Sequence, residues 1–246
     1  MMSKSADTIS LRGAGIAYII QSAKGQRFTL DSLLLADFCR IRKYDFLLEP
    51  GVGTGIISIL LAKKFPLIRI CAVEILPSVA AFCRLNIMRN NLGDRIILFE
   101  KHFATLKKSL KPSSFDAIIA NPPYTRSGTG KQSPLDERLL SRHDHLADLN
   151  IWLELHVFLK NKGRYIMVIS ADRFAEAITS FRIHKLEPKR VRFVHPFENK
   201  PANLALIEAV KEAGVGLAVL PPLIVHRSEG GYSEEMLEIY GKNMAM

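Results

Sequence analysis

Long apolar runs are missing from this 246-residue chain. No stretch approaches the ~20 residues that a membrane-spanning helix needs, so a membrane span is excluded. The opening MMSKSADTIS is polar and has no apolar signal core, which points to a cytoplasmic protein. Cysteine is scarce as well. The three, Cys39, Cys71 and Cys83, are an odd number, and each stands among apolar neighbours. That excludes a disulfide framework and reads as buried thiols in a reducing compartment. The spacing of Cys and His fits no zinc template, so no metal is expected. Repeats and low-complexity linkers are absent. The single tryptophan, Trp152, falls on the apolar face of a helical segment and reads as core. Acidic residues are in deficit, with 24 Asp and Glu against 34 Lys and Arg, a formal charge of +10. A basic balance suits an anionic partner, most often nucleic acid, although charge alone names no function.

What is present is alternation. The segment GIAYIIQSAKGQRFTL reads as two short strands around a polar glycine turn. Asp31 stands where it would cap a helix through SLLLADFCRI. From Asp45 onward, FLLEP, RICAVEI, RIILFEK and FDAIIA are strand-like, and helical stretches follow the first two. Pro77 suits the first turn of the second of these helices. A long polar stretch, Thr125 to His145, comes next, then a helical segment LADLNIWLELHVFLK ended by Gly163. RYIMVIS, VRFVHPF and NLALIEAV complete the strands. Strand–helix alternation of this kind predicts a mostly parallel α/β sheet with helices on both faces. The link from Glu198 to Asn203 is too short for a parallel crossover, so the final pair should be antiparallel. The expected layout is one domain, 1–246, with a hairpin and helix extension over 1–44 and a core over 45–246.

Ligands in such sheets sit beyond the carboxyl ends of the strands. Two motifs fall there. EPGVGTG carries Glu49, Gly51, Gly53 and Gly55 between a strand and a helix. Glycines let the backbone turn tightly and approach a ligand closely. The spacing is not the dinucleotide G-x-G-x-x-G. Glu49 would repel a pyrophosphate but not a sulfonium or an amino group, which favours S-adenosylmethionine. Glu74, at the end of the second core strand, is placed to accept from ribose hydroxyls. The second motif is Asn121-Pro122-Pro123-Tyr124. The exocyclic nitrogen of adenine delocalises its lone pair into the ring. Two acceptors aimed at its two hydrogens orient it and stabilise the positive charge that develops on methylation. The Asn121 amide oxygen and the Pro122 carbonyl suit that task, and proline rings keep the carbonyl aimed. Tyr124 would stack on the base. Beyond it, Arg126, Lys131, Arg138 and Arg142 read as phosphate contacts in a loop near the reacting site. A second cluster, Lys185, Lys189, Arg190 and Arg192, reads either as another nucleic-acid surface or as an exposed edge.

These residues resemble the class I S-adenosylmethionine-dependent methyltransferases of the N-P-P-Y type. RFTLDSLLLADF, LSRHD, VRFVHPFENKPANLALIEA and the ending PPLIVH…GGYSEEMLEIY resemble the bacterial family that methylates adenosine N6 beside the anticodon of valine tRNA. The resemblance implies a seven-stranded, mostly parallel Rossmann-like methyltransferase sheet with an antiparallel final strand. It also implies S-adenosylmethionine as cofactor, tRNA as substrate and a cofactor-side role for Asp31. The family usually has an acidic residue after the third core strand; here the aligned place is His102. Other substrates stay open: a glutamine amide in protein, N2 of an rRNA guanine, or no reaction at all in an RNA-binding scaffold on the same fold.

Overall fold

The computed structural model describes residues 4–22, 29–101, 103–123 and 149–241. Its centre is a sheet built from β3 (Phe46–Pro50), β4 (Arg69–Glu74), β5 (Ile96–Glu100), β6 (Phe115–Ala120), β7 (Leu159–Ser170), β8 (Leu186–His195) and β9 (Leu204–Lys211). Their order across the sheet is β8-β9-β7-β6-β3-β4-β5. Only β9 runs against its neighbours β7 and β8, as the short Glu198–Asn203 link requires. Two short strands, β10 (Ala218–Val219) and β11 (Leu223–Ile224), pair with β8 and bring the sheet to nine strands. The chain steps outward from β3 through β4 to β5, then returns to the other side of β3 as β6. The crevice at this reversal of direction is where such sheets bind ligands.

The helices are set by buried apolar faces. After the loop at the end of β3, α2 (Ile56–Lys64) buries Ile56, Ile57, Ile59, Leu60 and Leu61. Beyond β4, α3 (Pro77–Arg89) begins on its proline, where the missing N–H costs nothing. α4 (Leu149–Leu153) continues as a 3₁₀ turn over Glu154–Phe158. α5 (Phe174–Ile183) comes after β7, and α6 (Glu234–Ile239) closes the described chain, with Ser233 capping it through the Met236 N–H.

Three local expectations are corrected. The hairpin is β1 (Lys4–Leu11) and β2 (Gly15–Ser22), one element earlier than the sequence suggests. Its core side is built by Ile9, Leu11, Ala17 and Ile19, so the polar start conceals an alternating strand. The helical segment 146–160 does not reach Gly163, because β7 opens at Leu159. Apolar spacing does not reveal that change, since Phe158 and Leu159 are buried in either conformation. The strand around VRFVHPF starts five residues earlier, at Leu186. Pro188 is accommodated by a register shift against β9 between Pro188 and Arg190.

The hairpin is joined to the core by side-chain amides. Asn86 of α3 accepts from the Ile20 N–H and donates to the Ile20 and Thr54 carbonyls. One turn later, Asn90 accepts from the Tyr18 N–H and donates to the Tyr18 carbonyl. Asn86 thus links β2 to the glycine-rich loop, because Thr54 belongs to that loop.

Leading into the core, α1 (Leu30–Phe38) lies against α2, β7 and β9 with Leu33, Leu34 and Leu35 buried. Asp31 does not cap it. Thr29 holds the cap position without a side-chain bond, and Asp31 sits in the first turn.

Candidate active site

The β3 and β6 strands are parallel neighbours, paired at Leu48 and Ile118. Their carboxyl ends therefore release Gly51–Gly55 and Asn121–Pro123 side by side, at the reversal point of the sheet. Gly51 and Gly53 adopt φ of +64° and +59°, a region that side chains other than glycine enter at a cost. Gly51 also faces a wall, since a Cβ there would lie 2.7 Å from Cη2 of Trp152. Gly53 faces open space, with nothing within 4 Å of such a Cβ.

The loop amides are already engaged. The Val52 N–H donates to the Val73 carbonyl at 2.9 Å, and the Gly53 N–H to Glu74 Oε2 at 3.0 Å. The other Glu74 oxygen accepts from the Ile75 and Leu76 N–H groups, each at 2.9 Å. Three of roughly four acceptor positions on this carboxylate are thus taken by backbone. Glu74 holds the loop in shape and keeps limited capacity for a ligand. An anion-binding loop aims its N–H groups outward. This one turns two of them onto β4 and adds two carboxylates, so its chemistry suits a ligand carrying positive charge and hydroxyl donors.

Glu49 is 3% exposed and takes a hydrogen bond from Ser58 Oγ in the first turn of α2. Burial pushes its carboxyl up to about 8; the Ser58 bonds oppose this and the Glu74 charge adds to it. Such a group binds more protons folded than unfolded, so its ionisation destabilises the fold as pH rises from the ordinary carboxylate range through about 8. Thermal midpoints measured between about pH 5 and about pH 8 are expected to fall less steeply in Glu49→Gln than in the unaltered protein. Parallel curves would assign the slope to other groups.

Asn121 is half-buried, Pro122 buried and Pro123 exposed. Asn121 Nδ2 donates to Ser32 Oγ of α1 at 3.1 Å. Asp31 precedes that serine in the first turn of α1 and is half-buried. Two residues and one contact here were missed by sequence reasoning. Ser58 had a faint signal, a hydroxyl in the first turn after a glycine loop. Ser32, 89 residues from Asn121, had none, and neither did the contact of Trp152 with Gly51. As expected, Trp152 is core. Tyr124, Arg126, Lys131, Arg138, Arg142 and His102 lie outside the described residues. The second basic cluster is free only in part: Lys185 is exposed, and the other three are engaged. Arg190 is buried between Glu208 and the Phe38 ring, Arg192 makes two 2.7 Å bonds to Glu235, and Lys189 donates to the Gly214 and Val215 carbonyls.

Residues 29–172 match the family model described as the methyltransferase small domain. The chain belongs to this methyltransferase family. A relative from Aliivibrio fischeri (strain ATCC 700601 / ES114) is 34% identical over 225 residues, covering 87% of this chain and 89% of the relative. One from Vibrio campbellii is 28% identical over 219 residues, with 87% of each chain covered. Both are named tRNA1(Val) (adenine(37)-N6)-methyltransferase. Among solved structures, a predicted O-methyltransferase from Agrobacterium tumefaciens superposes with a TM-score of 0.68 at 18% identity, over 86% of this chain and 95% of that one. A 16S rRNA N2 G1207 methyltransferase from T. thermophilus, solved with AdoMet and guanosine, gives a TM-score of 0.59 at 15% identity, over 85% and 51%. At those identities the structures establish the fold. For this methyltransferase, the loop after β3 and the motif after β6 both fall within the matched family segment.

Proposed function

We propose that this methyltransferase carries a methyl group from S-adenosylmethionine to N6 of an adenine in tRNA, beside the anticodon. The observation that carries the reading is the emergence of Asn121-Pro122-Pro123 from β6 next to the β3 glycine loop. The relatives' shared name supports the choice of substrate.

S-adenosylmethionine, when bound, supplies an electrophilic methyl on a sulfonium. The open side of Gly53 gives it backbone to lie against. Glu49, buried with no cation bonded to it among the described residues, is suited to a ligand ammonium, and the remaining acceptor capacity of Glu74 to ribose hydroxyls. His102 and Asp31 are assigned to the same ligand. Asn121 Oδ1 and the Pro122 carbonyl accept the two hydrogens of the adenine amine. Both acceptors are fixed before reaction, so they favour the nitrogen as it becomes tetrahedral and positive. The N–C bond would form as the methyl's bond to sulfur breaks and leaves a neutral thioether, and the nitrogen would then release one proton to water and return to neutrality. Tyr124 is assigned to stacking on the base, and Arg126, Lys131, Arg138 and Arg142 to RNA phosphates.

Unmodified valine tRNA incubated with methyl-labelled cofactor is expected to yield N6-methyladenosine on nucleoside analysis. Label in N2-methylguanosine, or in a release-factor glutamine with none in tRNA, would overturn the proposal.

A further inference from the structure

We infer that the turn from Arg40 to Tyr44, between α1 and β3, is a second RNA-binding surface that holds the tRNA away from its reacting base. The inference rests on the reading of tRNA as substrate. The turn stands before the amino end of β3, whereas Gly51 and Asn121 lie beyond carboxyl ends of the sheet. The length of β3 separates Tyr44 from Gly51, roughly 20 Å of extended chain.

Charge is sorted at this amino edge. Arg40, Arg42 and Lys43 are exposed, and none forms an ion pair among the described residues. Arg69, exposed at the start of β4 beside Phe46, adds a fourth cation. The carboxylates nearby are already matched. Asp45 is buried, pairs with Arg164 and accepts from the Arg42 N–H at 2.6 Å. Asp116 accepts from the Phe46 N–H at 2.9 Å and pairs with Lys160 at 2.8 Å. Asp37 is held by Arg12 and Lys64. Asp94, exposed before β5, is two strands from β3. The positive charge therefore faces water without a neighbouring acid to cancel it.

Tyr44 is an independent observation. It is 72% exposed, against 43% for Tyr18 and 36% for Phe197. Lys43 Nζ lies 5.3 Å from its ring centre. An aromatic ring in water among unpaired cations suits a nucleotide, whose base stacks while its phosphate is neutralised. A lipid surface would engage the cations but brings no base for the ring. The turn is also held in place, since Arg164 donates to the Arg40 carbonyl while paired with Asp45. Little ordering is left to be done on binding.

The test measures affinity for unmodified tRNA across a salt series. In the triple variant Arg40→Ala, Arg42→Ala, Lys43→Ala, the slope of log affinity against log salt should shrink by about 2–3, and affinity at low salt should fall about ten-fold. Tyr44→Ala should weaken binding by about 5–100-fold, and Tyr44→Phe, which keeps the ring, should recover it. In steady state the loss should fall on KM for tRNA with kcat unchanged, because the contact is remote from methyl transfer. These side chains are exposed, so thermal midpoints should hold. Unchanged tRNA affinity and salt slope in the triple variant would overturn the inference, as would a fall in kcat with KM intact. Equal loss in Tyr44→Phe would overturn the stacking. Binding of anionic phospholipid vesicles through these residues, with tRNA affinity intact, would assign the surface to a membrane instead. If the unaltered protein leaves tRNA unmethylated, the reading beneath the inference fails, and that outcome is separate from all of these.

Discussion

Asn121→Ala is expected to bind S-adenosylmethionine as the unaltered protein does and to lose about 10²–10³-fold in kcat, the range for deleting one pre-aimed group at a centre of developing charge. The side chain projects from the end of β6, and the loop after β3 takes no hydrogen bond from it among the described contacts. Cofactor affinity should therefore be indifferent to the change. The bond to Asn121 strengthens as the nitrogen begins to carry positive charge, so the loss falls on kcat more than on KM. Single-turnover rates with calorimetric cofactor affinities would check this. Affinity lost together with rate would show that Asn121 supports the loop instead.

Two glycines in the same loop should fail in different ways. Gly51→Ala places a methyl 2.7 Å from the Trp152 indole, a buried ring whose own backbone carbonyl accepts from the Tyr165 hydroxyl. Left-handed backbone costs about 1–2 kcal/mol for alanine, and forcing a packed core apart adds about 1–3 kcal/mol. The midpoint of unfolding should fall by on the order of 10 °C, with or without ligand. Gly53→Ala meets no atom within 4 Å, so its fold bears the backbone cost alone. Its methyl fills the space into which a ligand would come, and cofactor affinity should fall at least ten-fold. Scanning calorimetry on both variants, with and without S-adenosylmethionine, separates the two. Equal loss of stability would refute the distinction, as would intact affinity in Gly53→Ala.

Much of the site is legible in the sequence because it hangs on strand ends. A parallel strand announces itself by a short apolar run, and the residues just past its end must lie at the carboxyl edge. Glu49, the glycines, Glu74 and Asn121 needed no more than that. Antiparallel β9 was legible from the length of one link. Contact between elements distant in sequence leaves no such mark. Ser32 meets Asn121 because α1 is fixed at one end by Arg164 and Arg190, and those arginines looked from sequence like parts of a strand or a basic patch. Burial inverted their meaning: Arg190 is a buried helix anchor and Arg192 is bound to Glu235. Local pattern also misplaced the hairpin, since a polar opening can still alternate around Ile9 and Leu11.

The asparagine pair on α3 has a consequence beyond joining two pieces. A two-stranded ribbon has an outer margin of unpaired peptide groups, and such a margin invites another strand. At Tyr18 and Ile20 each peptide position of β2 meets a side-chain amide, which offers one donor and one acceptor as a neighbouring strand would. A helix thereby terminates the ribbon in the hydrogen-bonding language of a sheet. The margin at Tyr18 and Ile20 is sealed without offering a further strand to grow on, so a second copy of the chain finds no template there.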